Sequence, residues 1–213
     1  MGTRLKVLIA CEESGVVRDA FRIQGHDAYS CDIKKRRSKY HIQGDVRPYL
    51  KEPWDIVIAH PPCTYLCCVG WPWVTKYPER LVLQDEAVEF FRDCYFANSD
   101  HVAVENPIMV GVAQQKIGFK VSQYIQPYEF GDAWTKRTGL WLRGLPLLQP
   151  TKQVKSRGYL MPQGRKDGLR KDGSVRVQES STFRSRTAPG IAKAMAAQWG
   201  GYVCRLQRGT RDS

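Results

Sequence analysis

The sequence predicts an α/β fold built on a mostly parallel sheet with helices on both faces. Short apolar, β-branched runs of strand length recur along the chain, among them Leu5-Lys6-Val7-Leu8-Ile9-Ala10, Asp55-Ile56-Val57-Ile58-Ala59 and His101-Val102-Ala103-Val104. Runs this short and this apolar mark strands buried on both faces. Segments with apolar residues at helical spacing separate them, which is the order of βαβ units. Two of the runs stop at proline directly after polar residues, at His60-Pro61-Pro62-Cys63 and at Glu105-Asn106-Pro107. Proline fixes φ, removes an amide donor and drives its predecessor towards extended geometry, so each strand must end there.

Bulk properties bound the partners. A chain of 213 residues with 42% hydrophobic residues suits one domain of ordinary size with a sizeable core. The net charge of +12 favours an anionic partner, nucleic acid ahead of a membrane surface. No apolar run approaches the ~18 residues of a spanning helix. The amino terminus passes directly into a strand without a signal-peptide core. No membrane association is expected, and the expected location is cytoplasmic. Seven cysteines, at positions 11, 31, 63, 67, 68, 94 and 204, include no C-x-x-C pair, and their odd number argues for reduced thiols. Cys63, Cys67 and Cys68 cluster near His60, but structural zinc usually pairs two knuckles and a second is missing, so no metal is expected.

Taken in order, the first strand is followed by a turn, Cys11-Glu12-Glu13-Ser14-Gly15, and by a helical stretch over 16–24 that ends at Gly25. Ala28-Tyr29-Ser30-Cys31-Asp32-Ile33 is a second strand closing on an acid. Strand, turn, helix, strand and acid is the order of a nucleotide-binding half, in which the carboxylate accepts ribose hydroxyls. The turn holds one glycine only, so it is no dinucleotide fingerprint, and Asp32 reads equally well as a solvated strand-end carboxylate. Residues 34–39 form a basic surface cluster. Asp45, in Gly44-Asp45-Val46-Arg47, either accepts a hydrogen bond from an adenine amino group or caps the next turn.

Residues 81–97 form an amphipathic crossover helix in which Cys94 serves as a small buried hydrophobe. Strands joined by right-handed crossovers are commonly neighbours that end on one sheet edge. Cys63 and Glu105 are therefore expected to face one cleft, at the edge where open α/β sheets bind ligands. Cys63 reads as a nucleophile that needs help from cations or backbone amides to ionise. Glu105 reads as its catalytic partner, which holds or acquires a proton, as partial burial favours. Further strands are expected over 122–128 and 139–142, flanking a basic and aromatic loop, Gly131-Asp132-Ala133-Trp134-Thr135-Lys136-Arg137. From about 150 to 186 the composition turns to Gly, Ser, Lys and Arg, the signature of a long mobile insertion. A last amphipathic helix over 189–199 is expected to end at Gly200-Gly201.

This order of motifs resembles that of the DNA cytosine-5 methyltransferases. The family's Asp-x5-Pro-Pro-Cys matches Asp55 through Cys63, and its Glu-Asn-Val matches Glu105-Asn106, with Pro107 in place of valine. Its first glycine-containing loop corresponds to Cys11 through Gly15, its second-strand acid to Asp32, and its Gly-Asp-Ile to Gly44-Asp45-Val46. A family stretch with an Arg-x-Arg pair resembles Phe130-Gly131 through Thr138, where Lys136 and Arg137 stand instead. The family's final helix resembles 187–197. The loop lacks the usual Phe-x-Gly-x-Gly, and only 150–186 is left to stand in for a target-recognition region. A compact, phage-type member fits these features.

The resemblance implies a Rossmann-like, class I S-adenosylmethionine-dependent methyltransferase. Residues 1–149 and 187–205 would form the catalytic domain, 150–186 a basic insertion and 206–213 a basic tail. It implies methyl transfer to C5 of cytosine in DNA, double- or single-stranded, by a monomer. Cys63 would be the nucleophile, with Glu105, Asn106, Lys136 and Arg137 around the base. The cofactor would lie against Cys11, Glu12, Ser14, Gly15 and Val16, against Asp32, Ile33, Asp45 and Val46, and against Pro61, Pro62 and Thr187. Two alternatives stand beside it: an amino-methyltransferase acting on an exocyclic nitrogen, and a non-catalytic nucleic-acid-binding protein on the same scaffold. The first normally carries Asp or Asn before Pro-Pro and an aromatic after it, where this chain has His60 and Cys63.

Overall fold

A computed structural model of the chain describes residues 3–68, 73, 76, 77, 79–162, 176–180, 183 and 185–209. In chain order the elements are β1 (Lys6–Ala10), α1 (Val16–Ile23), β2 (Asp27–Asp32), β3 (His41–Gln43), α2 (Arg47–Leu50), β4 (Ile56–Ala59) and α3 (Arg80–Tyr95). They continue as β5 (Val102–Pro107), α4 (Gly111–Ile117), β6 (Gln123–Ile125), β7 (Thr138–Arg143), β8 (Tyr159–Pro162), β9 (Arg176–Glu179), α5 (Pro189–Met195) and α6 (Gly201–Gly209).

Seven strands form one sheet in the order β3-β2-β1-β4-β5-β7-β6. The pairs from β3 to β5 are parallel, and β7 runs antiparallel to both its neighbours. The α/β, Rossmann-like fold expected from the sequence, mostly parallel with helices on both faces, is the one observed. Strand alternation explains the continuous apolar runs. Val7 and Ile9 of β1, with Ile56 and Ile58 of β4, enter the core under α1, α5 and Trp199. Leu8 and Ala10, with Val57 and Ala59, enter the opposite core with Phe91, Cys94 and Ile117. Leu140 and Trp141, adjacent on β7, likewise split between the two cores. Burying a side chain of this kind is worth roughly 1.5–3 kcal/mol, so a slip of one residue in register would forfeit several such contributions.

Three expectations are corrected. The strand expected over 122–128 is only Gln123–Ile125, because Pro127 has no amide hydrogen to give and starts a 3₁₀ turn over Pro127–Glu129. In that turn the Gln126 amide donates to Glu129 Oε2 at 2.6 Å. Gly200-Gly201 do not end the last helix. The chain passes through a π-helical turn, Ala196–Gly200, into α6, so residues 206–209 of the expected tail are helical. Gly200 answers a close approach instead, since a Cβ there would lie 2.7 Å from His26 Nε2.

The described part of the expected mobile insertion is docked. Thr151 and Lys152 donate to the Glu129 carbonyl, Val154 to Tyr128 and Arg157 to Ala133, while Thr135 donates to Gly158. Backbone hydrogen bonds hold this stretch where side-chain hydrophobicity could not, and composition does not report them. Beyond it β8 and β9 pair in parallel, while 163–175 and 181, 182 and 184 lie outside the described residues. Among the described residues no helix is long and apolar enough to cross a membrane.

Candidate active site

Strand order reverses beside β1, which pairs with β2 on one side and β4 on the other. Such a switch point opens a crevice at the carboxyl ends of the strands. The loop after β1, the end of β2, the Pro-Pro-Cys loop after β4 and the Glu-Asn-Pro end of β5 all emerge at that edge.

The last two are tied together. The pairs Ala59↔Val104 and Ile58↔Ala103 set His60 opposite Glu105 as the next residues along. Asn106 is buried, and its Nδ2 donates to the Pro61 carbonyl at 3.1 Å. Downstream, Cys68 N donates to the Ile108 carbonyl at 3.2 Å and Val110 N to the Leu66 carbonyl at 2.9 Å, with Cys67 and Met109 bridged. The amides of Leu66 and Cys67 converge on the Cys63 carbonyl, so Cys63 opens a helical turn seated against the end of β5.

A charged cluster surrounds Glu105. Its Oε2 lies 3.1 Å from His60 Nδ1 and accepts the Thr187 hydroxyl at 3.0 Å. The Glu105 and His60 side chains are 11% and 16% exposed. Burial works to raise the Glu105 carboxyl, but the His60 charge and hydrogen bond, the Lys136 ammonium and the Thr187 hydroxyl outweigh it and hold it at about 2. Burial likewise works to lower His60, and the charges of Glu105 and Glu12 overcome that and the opposing Lys136, so His60 is raised above its ordinary value. Burial alone would favour a protonated Glu105, and these neighbours reverse that direction, favouring the carboxylate with the proton on His60.

The Cys63 thiol is pushed well up from its ordinary range, first by its hydrogen bond with Cys67, then by burial and by the charge of that second thiol. Lys136 and a backbone hydrogen bond pull it down, but by less. Lys136 therefore acts on Cys63, Glu105 and His60 together. It is also tied down, its amide donating to Gln126 Oε1 at 3.1 Å and its Nζ to the Arg186 carbonyl at 3.3 Å. Arg137 is not part of this cluster. It is exposed, with its guanidinium 4.2 Å over the Tyr124 ring at the outer strand of the sheet.

Thr187 arrives from far along the chain. The Gly190 amide at the start of α5 donates to Asp132 Oδ2 at 2.7 Å, and a Cβ at Gly190 would overlap the Phe130 carbonyl. This close docking brings Thr187, two residues before α5, onto Glu105.

The first loop satisfies itself. Glu12 is 5% exposed, and its carboxylate accepts Ser14 Oγ at 3.1 Å, Val17 N at 2.7 Å and Arg18 N at 3.3 Å. An acidic group at a helix amino terminus meets both the free amides and the dipole. Cys11 takes a left-handed backbone (φ 59°) and turns its thiol to Cys94; that contact, then burial, raises its pKa. Gly15 is also left-handed (φ 71°), and Val16 packs against the core. At the end of β2, Asp32 Oδ1 accepts the Lys34 amide at 2.8 Å, and Ile33 leaves 75% of its surface exposed. Asp45 accepts the Arg47 amide at 3.0 Å in a local turn ahead of α2, whose N-cap is Val46 and has no side-chain cap, while Val46 is buried in the core. Pro61 is buried and Pro62 exposed.

Sequence reasoning missed His60 as a partner of Glu105, weighing it only as a metal ligand and as the residue before Pro-Pro, although its place on the same strand end was a usable signal. It also missed Cys67 as the neighbour of the nucleophile, for which the i, i+4 spacing was the signal.

Fold and site together define a Rossmann-like α/β protein with a thiol and a charged carboxylate–imidazole pair at its switch-point edge. No protein-family model matches the chain, and no curated protein matches it. Among solved structures it is similar to a protein described as a DNA modification methyltransferase encoded within a prophage (E. coli), at 13% identity and a TM-score of 0.47, covering 83% of this chain and 61% of that one. It is also similar to the Entamoeba histolytica methyltransferase EhMeth, at 13% identity and a TM-score of 0.46, covering 71% of this chain and 58% of that one. The chain thus spans about three fifths of the length of each.

Proposed function

We propose that this protein transfers a methyl group from S-adenosylmethionine to C5 of cytosine in DNA through a covalent Cys63 adduct. The observation that carries the reading is the juxtaposition at one sheet edge of the Pro-Pro-Cys loop and Glu105, locked by Asn106 to Pro61 and sharing Lys136 as a charged neighbour.

The residues present fit the cofactor. Asp32 Oδ2 remains for a ribose hydroxyl once Oδ1 holds Lys34, and Ile33 offers an apolar face of a kind that folding alone would bury. When bound, S-adenosylmethionine supplies an electrophilic methyl sulfonium.

Cytosine C5 is too weak a nucleophile to accept that methyl unaided. Addition of the Cys63 sulfur to C6, with protonation at N3, turns the ring into an enamine whose C5 carries the electron pair. Cys63 gives its thiol proton to solvent before the sulfur adds, and Lys136 stabilises the thiolate and the charge spreading from it. Glu105 meets N3. Loss of the C5 proton then re-forms the double bond and expels the Cys63 thiolate. A base stacked in a duplex cannot reach the thiol, so duplex DNA requires flipping, with the basic loops on the backbone.

Transfer to an exocyclic amino group fits less well. That chemistry needs an acceptor before Pro-Pro, and here the residue is an imidazole engaged with Glu105. Incubation with methyl-labelled cofactor and DNA of mixed sequence, followed by nucleoside analysis, tests the reading. Label in 5-methylcytosine is expected, and label on nitrogen, or none, overturns it.

A further inference from the structure

We infer that His60 is a positioning residue of this site, which aims Glu105 and holds the proton that cytosine N3 must gain. Its Nδ1, 3.1 Å from Glu105 Oε2, shares that oxygen with the Thr187 hydroxyl at 3.0 Å and leaves Oε1 for the pyrimidine. The inference rests on the cytosine reading above and adds a residue to it.

The placement is rigid. His60 follows β4, whose pairing with β5 sets it beside Glu105, and Pro61 restricts its backbone to extended geometry. Its amide donates to the Ala10 carbonyl at 2.9 Å, so its backbone is bound to β1 as well. The charged groups that act on it come from three elements: Glu105 from β5, Glu12 from the loop after β1, and Lys136 from the loop before β7.

Stability does not account for this pair. His60 Nε2 is buried with no hydrogen-bond partner among the described residues. A buried donor left unpaired costs about 1–3 kcal/mol, and buried ion pairs are often no better than apolar replacements. The chemistry does account for it. Before reaction the pair holds one proton, as imidazolium and carboxylate. His60 gives its proton to Glu105 Oε2, the carboxyl turns to present that oxygen to the ring, and N3 takes the proton. The pair ends as neutral imidazole and a carboxylate accepting the N3–H bond. The N3 proton returns to the pair as the product forms, the C5 proton leaves to solvent as the net proton of methyl transfer, and the expelled Cys63 thiolate regains from solvent the proton it gave up.

Glu105 and Glu12 raise His60 against its burial, so the imidazolium is present below that raised value and is lost as pH rises through it. His60→Asn keeps a side-chain donor for Oε2 but cannot carry the proton. The test measures kcat, the KM for mixed-sequence DNA and cofactor affinity against pH, for the full chain and for H60N. Loss of kcat by about 100-fold is expected in H60N, the scale of general acid–base catalysis, with KM and cofactor affinity within about threefold. The ratio of wild-type to H60N kcat should fall with rising pH, because the Cys63 ionisation common to both cancels.

E105Q and the H60N/E105Q double variant should be equally slow, since His60 acts through Glu105. A pH-independent ratio, or a further loss in the double variant, overturns the inference. If H60N does not fold, the wild-type profile decides, and the absence of a falling alkaline limb overturns it. A wild type that neither methylates cytosine nor forms a Cys63 adduct overturns the underlying reading and this one with it. An active wild type matched by H60N overturns this one alone.

Discussion

His60 Nδ1 lies 3.1 Å from Glu105 Oε2 at the ends of two neighbouring parallel strands, and the carboxyl is held at about 2. Such a pair makes folding depend on pH from both sides. A carboxyl depressed in the folded state contributes stability above its ordinary value of 4.5, lost as pH falls towards about 2. A raised histidine contributes stability below its ordinary value of 6.5, lost as pH rises through the raised one. Urea-unfolding midpoints followed against pH should show both losses in the wild type. In E105Q the acid-side loss should shrink, and a wild-type acid limb unchanged by that substitution would count against the pair.

The thiol of Cys63 is held protonated chiefly by Cys67. Cys67→Ala removes that cause, so more thiolate is expected at neutral pH. Alkylation of Cys63 by iodoacetamide, followed by peptide mass spectrometry, should quicken by roughly 3- to 10-fold, about half to one pKa unit. Slower alkylation would show that Cys67 supports the thiolate instead.

Lys136 and Arg137 are adjacent but differ in environment, one beside Cys63 and Glu105 and the other stacked on Tyr124. Lys136→Met is expected to lower kcat by about 10- to 100-fold, as loss of one charge-stabilising group does. Arg137→Met should leave kcat within about threefold. Equal losses in single-turnover assays would place both cations at the base.

The π-helical turn in the last helix packs closely on His26 at Gly200. Gly200→Ala brings a Cβ to 2.7 Å from His26 Nε2. Overpacking of this kind costs about 1–3 kcal/mol, which should appear as a lowered Tm with kcat unchanged. An unaltered or raised Tm would mean that His26 yields freely.

Much of the fold was legible because its strands are buried on both faces and prolines punctuate the two that matter. Short elements were not: β3 has three residues, too few to show a period, and α4 follows Pro107 with only seven. Segment 151–159 was unreadable because backbone hydrogen bonds, which leave no compositional trace, hold it to residues 128–135. At the site, Cys63 and Glu105 stood out because each ends an apolar strand. The electrostatics did not, since Thr187 meets Glu105 from 82 residues away and His60 is set beside Glu105 only through the sheet register. Burial of Glu105 was foreseeable, but the neighbours that reverse its effect were not.

The most direct test of the covalent route incubates the full chain with S-adenosylmethionine and DNA carrying 5-fluorocytosine, which cannot lose a C5 proton, and maps any adduct by mass spectrometry. A stable nucleotide adduct on the peptide containing Cys63, absent from Cys63→Ser while that variant still binds cofactor, is the expected result. An adduct on another residue, or methylation by Cys63→Ser at the wild-type rate, would contradict it.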